Sequence, residues 1–135
     1  MESINIGLAG LGTVAQGFIE IFGQKKQALS DKLGMELKIV KVASRSQKVD
    51  LEGLGAVFST DLSSLVEDSA IDVIIELIGG EQDALELISA ALKQNKHVVT
   101  ANKEVIAKHG NSFKGEIDSG RLRFEAAVAG AIPIL

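Results

Sequence analysis

Ile4-Asn5-Ile6-Gly7-Leu8-Ala9-Gly10-Leu11-Gly12-Thr13-Val14-Ala15-Gln16-Gly17 is the stretch on which the fold turns. Four glycines fall within the eleven positions from Gly7 to Gly17, directly behind the strand-like Ile4-Asn5-Ile6. Glycine is costly in chain entropy and poor in helices and strands, so a stretch this rich in it implies that the backbone is making room. Ile4 to Ala9 reads as a buried strand, and Val14 to about Leu29 as a helix with Val14, Phe18, Ile21 and Phe22 at helical spacing. The glycines therefore sit in a strand-to-helix turn, where Gly10-x-Gly12-x-x-Ala15 fits the dinucleotide fingerprint with alanine at its third position. A side chain at Gly10 would hinder the turn, and one at Gly12 would hold a pyrophosphate away. Without them, amides at the helix start can point at phosphates, assisted by the helix dipole.

Outward from this turn, strands and helices alternate. Leu37 to Ala43 is a second strand, reached through a polar segment, Ser30 to Glu36, that reads as a surface loop. Asp61 opens a short helix carrying Leu62, Leu65 and Val66, its carboxylate accepting from the first free amides. Asp72 to Ile78 is an apolar strand stopped by Gly79-Gly80, and Gln82 to Gln94 is a helix. His97 to Thr100 and Leu122 to Val128 are strands, while Lys103 to His109 and Ser112 to Asp118 are short helices. This alternation implies an α/β fold of the Rossmann type, a doubly wound, mostly parallel sheet with helices on both faces. The strand order stays open.

Composition agrees with one domain over residues 1–135. Hydrophobic residues make up 46% and aromatics only 4%, so the core is built from aliphatic side chains, as in a covered parallel sheet. A formal net charge of −4 without a basic block offers no nucleic-acid or phospholipid surface. With no cysteine, thiol catalysis and thiolate metal sites are excluded, and the cytosol is the expected compartment. No apolar run reaches the roughly 20 residues of a membrane helix. Pro133 sits in the apolar run Ile132-Pro133-Ile134-Leu135, which ends without a polar closing signal and reads as a domain cut before its continuation.

At the end of the second strand an acidic residue would bind the ribose hydroxyls of NAD. The sequence there is Val42-Ala43-Ser44-Arg45-Ser46, with no carboxylate. Arg45 offers a planar fork for a 2′-phosphate, with Ser44, Ser46 and Lys48 as further donors, which favours NADP over NAD. Lys103 follows the carboxyl end of a parallel strand, where ligands bind in such sheets. A lysine there can take or relay the hydroxyl proton of an alcohol as hydride leaves, or position cofactor and substrate by charge. His97 and His109, far apart and without acids at ligand spacing, do not make a metal site. Glu67-Asp68 reads as a solvated helix end.

Glu76-Leu77-Ile78-Gly79-Gly80, Lys96-His97-Val98-Val99-Thr100-Ala101-Asn102-Lys103 and Phe124 to Ile134, taken with Gly10-Leu11-Gly12-Thr13-Val14, resemble the amino-terminal half of homoserine dehydrogenases in order and spacing. The resemblance covers essentially the whole chain. It implies NAD(P)-dependent interconversion of L-homoserine and L-aspartate 4-semialdehyde on the route to threonine and methionine. It also implies that Gly79 and Gly80 border the nicotinamide ribose and that Thr100, Asn102 and Lys103 lie near nicotinamide and substrate. A monovalent cation would be held at Glu125, Val128, Gly130 and Ile132, mostly by main-chain carbonyls. The family commonly has glycine at Ala15 and at Ala131, and the second departure bears on the cation loop. Further substrate-binding acids and the main acid/base lysine of the family belong to a following domain that also forms a homodimer, so this chain is expected to bind NADP(H) and not to turn over homoserine by itself.

Two other readings compete. Sugar oxidoreductases resembling glucose-fructose oxidoreductase share the glycine turn and the Val42-Ala43-Ser44-Arg45 strand end, but continue the Lys-His-Val strand with Glu-Lys-Pro instead of Thr100-Ala101-Asn102-Lys103. A dinucleotide-sensing module without chemistry would share the fold, and is disfavoured by Thr100 and Lys103 standing together at the crevice.

Overall fold

The computed structural model describes residues 2–45 and 52–124. Six strands form one sheet: β1 (Ser3–Ala9), β2 (Glu36–Ala43), β3 (Val57–Ser59), β4 (Val73–Glu76), β5 (His97–Thr100) and β6 (Leu122–Phe124). Their order is β3-β2-β1-β4-β5-β6, and every pairing is parallel. The helices are α1 (Thr13–Leu33), α2 (Ser63–Glu67), α3 (Gln82–Lys93), α4 (Lys103–His109) and α5 (Lys114–Asp118). The order reverses direction between β1 and β4, and in open parallel sheets that switch point opens a crevice at the carboxyl ends of the strands.

Side chains alternate across the sheet and fill two cores. Ile6 and Leu8 of β1, with Leu37, Ile39, Val42, Val73, Ile75 and Val99, pack against α1 through Ala15, Phe18 and Phe22. The Phe18 and Phe22 rings stack with centroids 5.9 Å apart. On the other face Ala9, Ala43, Ile74, Val98 and Leu122 meet α2, α3 and α4. The helices thus cover both faces of an entirely parallel sheet.

The helical spacing places α1 correctly but not its buried stripe. Val14 is 48% exposed, because the inward face runs through Ala15, Phe18 and Phe22, one residue out of step with Val14. Nor is Ser30 to Glu36 a surface loop. The helix continues to Leu33, Gly34 closes it at φ 69°, and β2 starts at Glu36. Ser30 is buried, and its hydroxyl accepts from the Leu37 amide at 3.1 Å, so a polar residue faces inward to join helix and strand. The short strand β3 was not expected from the sequence. Its register, Ala43↔Ser59, depends on pairing with β2 and not on any local pattern. β4 ends at Glu76, two residues before the expected Ile78. The segment expected as a helix from Ser112 divides into a 3-10 turn (Gly110–Phe113) and α5. β6 is described to Phe124, and the remainder of the expected strand lies outside the described residues.

Candidate functional site

Strand register lines up the ends of five strands. Ala9 pairs with Ala43 on one side and Glu76 on the other, Glu76 pairs with Thr100, and Thr100 with Phe124. The loops leaving this row build the crevice. Main-chain bonds fix them: Gly10 N donates to Ala43 O at 2.8 Å, Leu77 N to Ala9 O at 2.9 Å, and Ser44 N to Ser59 O at 3.0 Å.

The two fingerprint glycines serve different ends. Gly10 has φ +108°, and a Cβ there would lie 2.9 Å from the Leu77 carbonyl oxygen, so both backbone conformation and the neighbouring loop require glycine. At Gly12 a Cβ would meet nothing within 4 Å. It would project into open space, and Gly12 lines a cleft of about 300 Å³ together with Gly10, Leu11, Ser44, Arg45 and Gly79. Gly12 is also the N-cap of α1 and makes no side-chain cap bond, leaving the first-turn amides without a side-chain acceptor. Unfilled space, uncapped amides and the positive helix end fit an anionic diphosphate. Ala15, the third fingerprint position, is fully buried against β1.

Arg45 leaves β2 at the rim of this cleft, where its Nη2 lies 2.6 Å from Oδ2 of Asp83 in the first turn of α3. Asp83 also lines the cleft. Ser46 and Lys48, the additional donors expected there, lie outside the described residues. Gly79, Leu77 and Ile78 form the wall opposite the glycine turn.

Beyond that wall the next strand end carries the remaining predicted residues. Thr100 is fully buried. Its hydroxyl donates to Glu76 Oε1 at 2.8 Å and accepts from the Asn102 amide at 2.9 Å. Asn102 caps α4 by accepting from the Val105 amide at 3.1 Å, and its side-chain nitrogen donates to the Gly80 carbonyl. Gly80 and Asn102 are therefore joined directly. Lys103 is the first residue of α4 and is exposed; among the described residues it forms no ion pair. Glu81 pairs with Lys108 at 2.8 Å and His109 at 3.0 Å, tying the start of α3 to the end of α4. Hydrogen bonds from these two groups hold the Glu81 carboxyl below its ordinary range.

Sequence reasoning did not single out Glu76 or Asp83. Glu76 is fully buried, and burial pushes its carboxyl above the ordinary range despite the bonds from Thr100 and the Ile78 amide. Its sequence signal was a lone acid inside the apolar run from Val73 to Ile78. Glu67 and Asp68 do form the end of α2, and the partly exposed Asp68 also pairs with Lys41 at 3.1 Å and accepts from the Ala70 amide. The expected cation ligands Glu125, Val128, Gly130 and Ile132 lie outside the described residues. Among the described residues no cluster of three or more His, Asp or Glu side chains could hold a metal, and no helix is long and apolar enough to cross a membrane.

A parallel sheet in this order, with an open glycine turn at its switch point, defines a dinucleotide-binding domain of the Rossmann class. The family model for the homoserine dehydrogenase NAD-binding domain matches residues 10–117. Homoserine dehydrogenase from Bacillus subtilis is 37% identical over 141 residues, and that from Neisseria gonorrhoeae 38% over 138; each alignment covers 100% of this chain and 32% of the relative. Among solved structures, a homoserine dehydrogenase from Thiobacillus denitrificans superposes with TM-score 0.82 at 36% identity, covering 94% of this chain and 30% of that one. S. aureus homoserine dehydrogenase at pH 7.5 gives TM-score 0.82 at 31% identity, over 94% and 33%. The chain belongs to the homoserine dehydrogenase family, as its NAD-binding domain, and spans about a third of the length of the relatives it matches. The sugar-oxidoreductase reading is not favoured by these similarities.

Proposed function

We propose that this chain is the cofactor-holding part of an oxidoreductase that interconverts L-homoserine and L-aspartate 4-semialdehyde with NADP(H), in the cytosolic synthesis of threonine and methionine. The observation that carries the reading is the open space at Gly12 in a cleft rimmed by Arg45, within a chain of this family.

In this reading Gly10, Leu11, Gly12, Thr13 and Val14 cradle the diphosphate with main-chain amides, and Arg45 exchanges Asp83 for the 2′-phosphate. Gly79 and Gly80 border the nicotinamide ribose, with Asn102 fixing Gly80 from the neighbouring loop. The bound nicotinamide supplies the acceptor or donor of hydride. Lys103 is assigned to the substrate side of the crevice, where its charge positions cofactor and substrate while the main acid/base lysine of the family belongs to the following domain. Thr100 acts from within, since its hydroxyl is engaged by Glu76 and the Asn102 amide. The monovalent cation at Glu125, Val128, Gly130 and Ile132, and a homodimer of the whole enzyme, follow from the family resemblance alone.

Calorimetric titration of this chain with NADP and NAD in parallel tests the cofactor assignment. The expected result is tighter binding of NADP; equal affinities would remove the role of Arg45, and binding of neither would remove the reading. For the whole enzyme, absorbance at the NADPH band in the presence of homoserine should rise.

A further inference from the structure

Glu76 is an acid without access to solvent, at the middle of the strand-end row, and the reading above gives it no task. Its surroundings do. Oε1 accepts from the Thr100 hydroxyl at 2.8 Å, and Oε2 from the Ile78 amide at 2.7 Å. Its main-chain carbonyl accepts from the Ala101 amide at 3.2 Å. One residue thus grips the loop after β4 and the loop after β5 together. The first contains Ile78, Gly79 and Gly80. The second contains Ala101 and Asn102, and Asn102 closes the circuit by donating to Gly80. A buried carboxylate is costly unless hydrogen-bonded, and a leucine or valine would suit this aliphatic strand better, so the carboxyl at this place calls for a reason beyond packing.

We infer that Glu76 is a positioning residue which, through Thr100 and the Ile78 amide, sets the spacing of the two loops that flank the nicotinamide half of the cofactor. This rests on the cofactor reading given above. The glycine turn and Arg45 do not depend on the carboxyl, because Gly10 and Leu77 are fixed to Ala43 and Ala9 by main-chain bonds. Glu76 therefore acts on one end of the ligand only. Glutamine replaces it only in part: its amide nitrogen cannot accept, so either the Thr100 hydroxyl must turn from donor to acceptor or the Ile78 amide goes unpaired.

The experiment compares two probes on the same chain, NADPH and adenosine 2′,5′-bisphosphate, which lacks the nicotinamide half. Glu76→Gln is expected to weaken NADPH by about tenfold, the scale of one charged hydrogen bond, and to leave the bisphosphate within about twofold. Thr100→Val, which removes the middle link and keeps the side-chain shape, is expected to do the same, and Thr100→Ser to restore NADPH binding to within about twofold. Equal weakening of both probes would make Glu76 a general structural residue and overturn the inference, as would unchanged NADPH affinity in folded Glu76→Gln. Where Glu76→Gln fails to fold by circular dichroism, the Thr100 pair decides by the same criteria. Failure of the unmodified chain to bind NADPH would instead strike the cofactor reading itself.

Discussion

Arg45 and Asp83, 38 residues apart in sequence, meet at 2.6 Å across the mouth of the cleft at the glycine turn. Both side chains are exposed, 87% and 38%, so the pair itself adds little stability. Its weight falls on the ligand. Asp83 occupies the guanidinium that the 2′-phosphate would claim, and its charge opposes that phosphate. Arg45→Ala should erase most of the preference for NADP over NAD, about 1.5–3 kcal/mol. Asp83→Asn should tighten NADP by at most about 1 kcal/mol and leave NAD unchanged. Calorimetry with both cofactors reads both effects, and a gain for NAD in Asp83→Asn would contradict the competition.

The two fingerprint glycines should separate stability from binding. Gly12→Ala adds a Cβ that meets no protein atom within 4 Å, so the unfolding free energy should change by no more than about 1 kcal/mol. NADP affinity should fall by about tenfold or more, since the phosphate loses its approach to the backbone. Gly10→Ala forces a side chain to φ +108° against the Leu77 carbonyl, and should destabilise the fold by about 1–3 kcal/mol. Thermal melts alongside titrations distinguish these patterns.

Lys96 is buried at the opposite end of the sheet, where its ammonium donates to the carbonyls of Asp68 and Ile71, each at 2.7 Å. Lys96→Met keeps the length and strands both carbonyls. Urea unfolding should show a loss of about 1–3 kcal/mol, with cofactor affinity retained.

The limbs of the stability profile above and below pH 4.5 should be carried by different carboxyls. Burial raises Glu76 above its ordinary 4.5, so the native state holds that proton more tightly than the unfolded chain. Its contribution is complete below 4.5 and is lost as pH rises through the folded value. Glu81, lowered by the bonds from Lys108 and His109, contributes above 4.5 and loses that contribution as pH falls through its folded value. Melting temperatures against pH should therefore show the unmodified chain gaining on Glu76→Gln as pH drops toward 4.5, while Glu81→Gln flattens the limb below it. A pH-independent gap between the unmodified chain and Glu76→Gln would contradict the first assignment.

Most of the framework was legible in the sequence because strands such as Ile4 to Ala9 and His97 to Thr100 are apolar runs whose identity does not depend on partners. The glycine turn was legible for the same reason, as Gly10 answers to its own φ. What escaped depends on distant residues. β3 exists by pairing with β2, Ser30 turns inward to meet Leu37, and Asp83 joins the cleft only because Arg45 lies opposite it. Glu76 stood in the sequence as a lone acid within the apolar run from Val73 to Ile78, and its burial comes from the sheet around it and not from its neighbours in sequence.

Ala15 gives the interior a hold on the ligand. Its methyl is the spacer between α1 and β1 just where the helix begins. A bulkier residue would prop that end of the helix off the sheet and carry the phosphate-facing amides with it. On the proposed reading, affinity for the coenzyme is partly gauged from inside the fold.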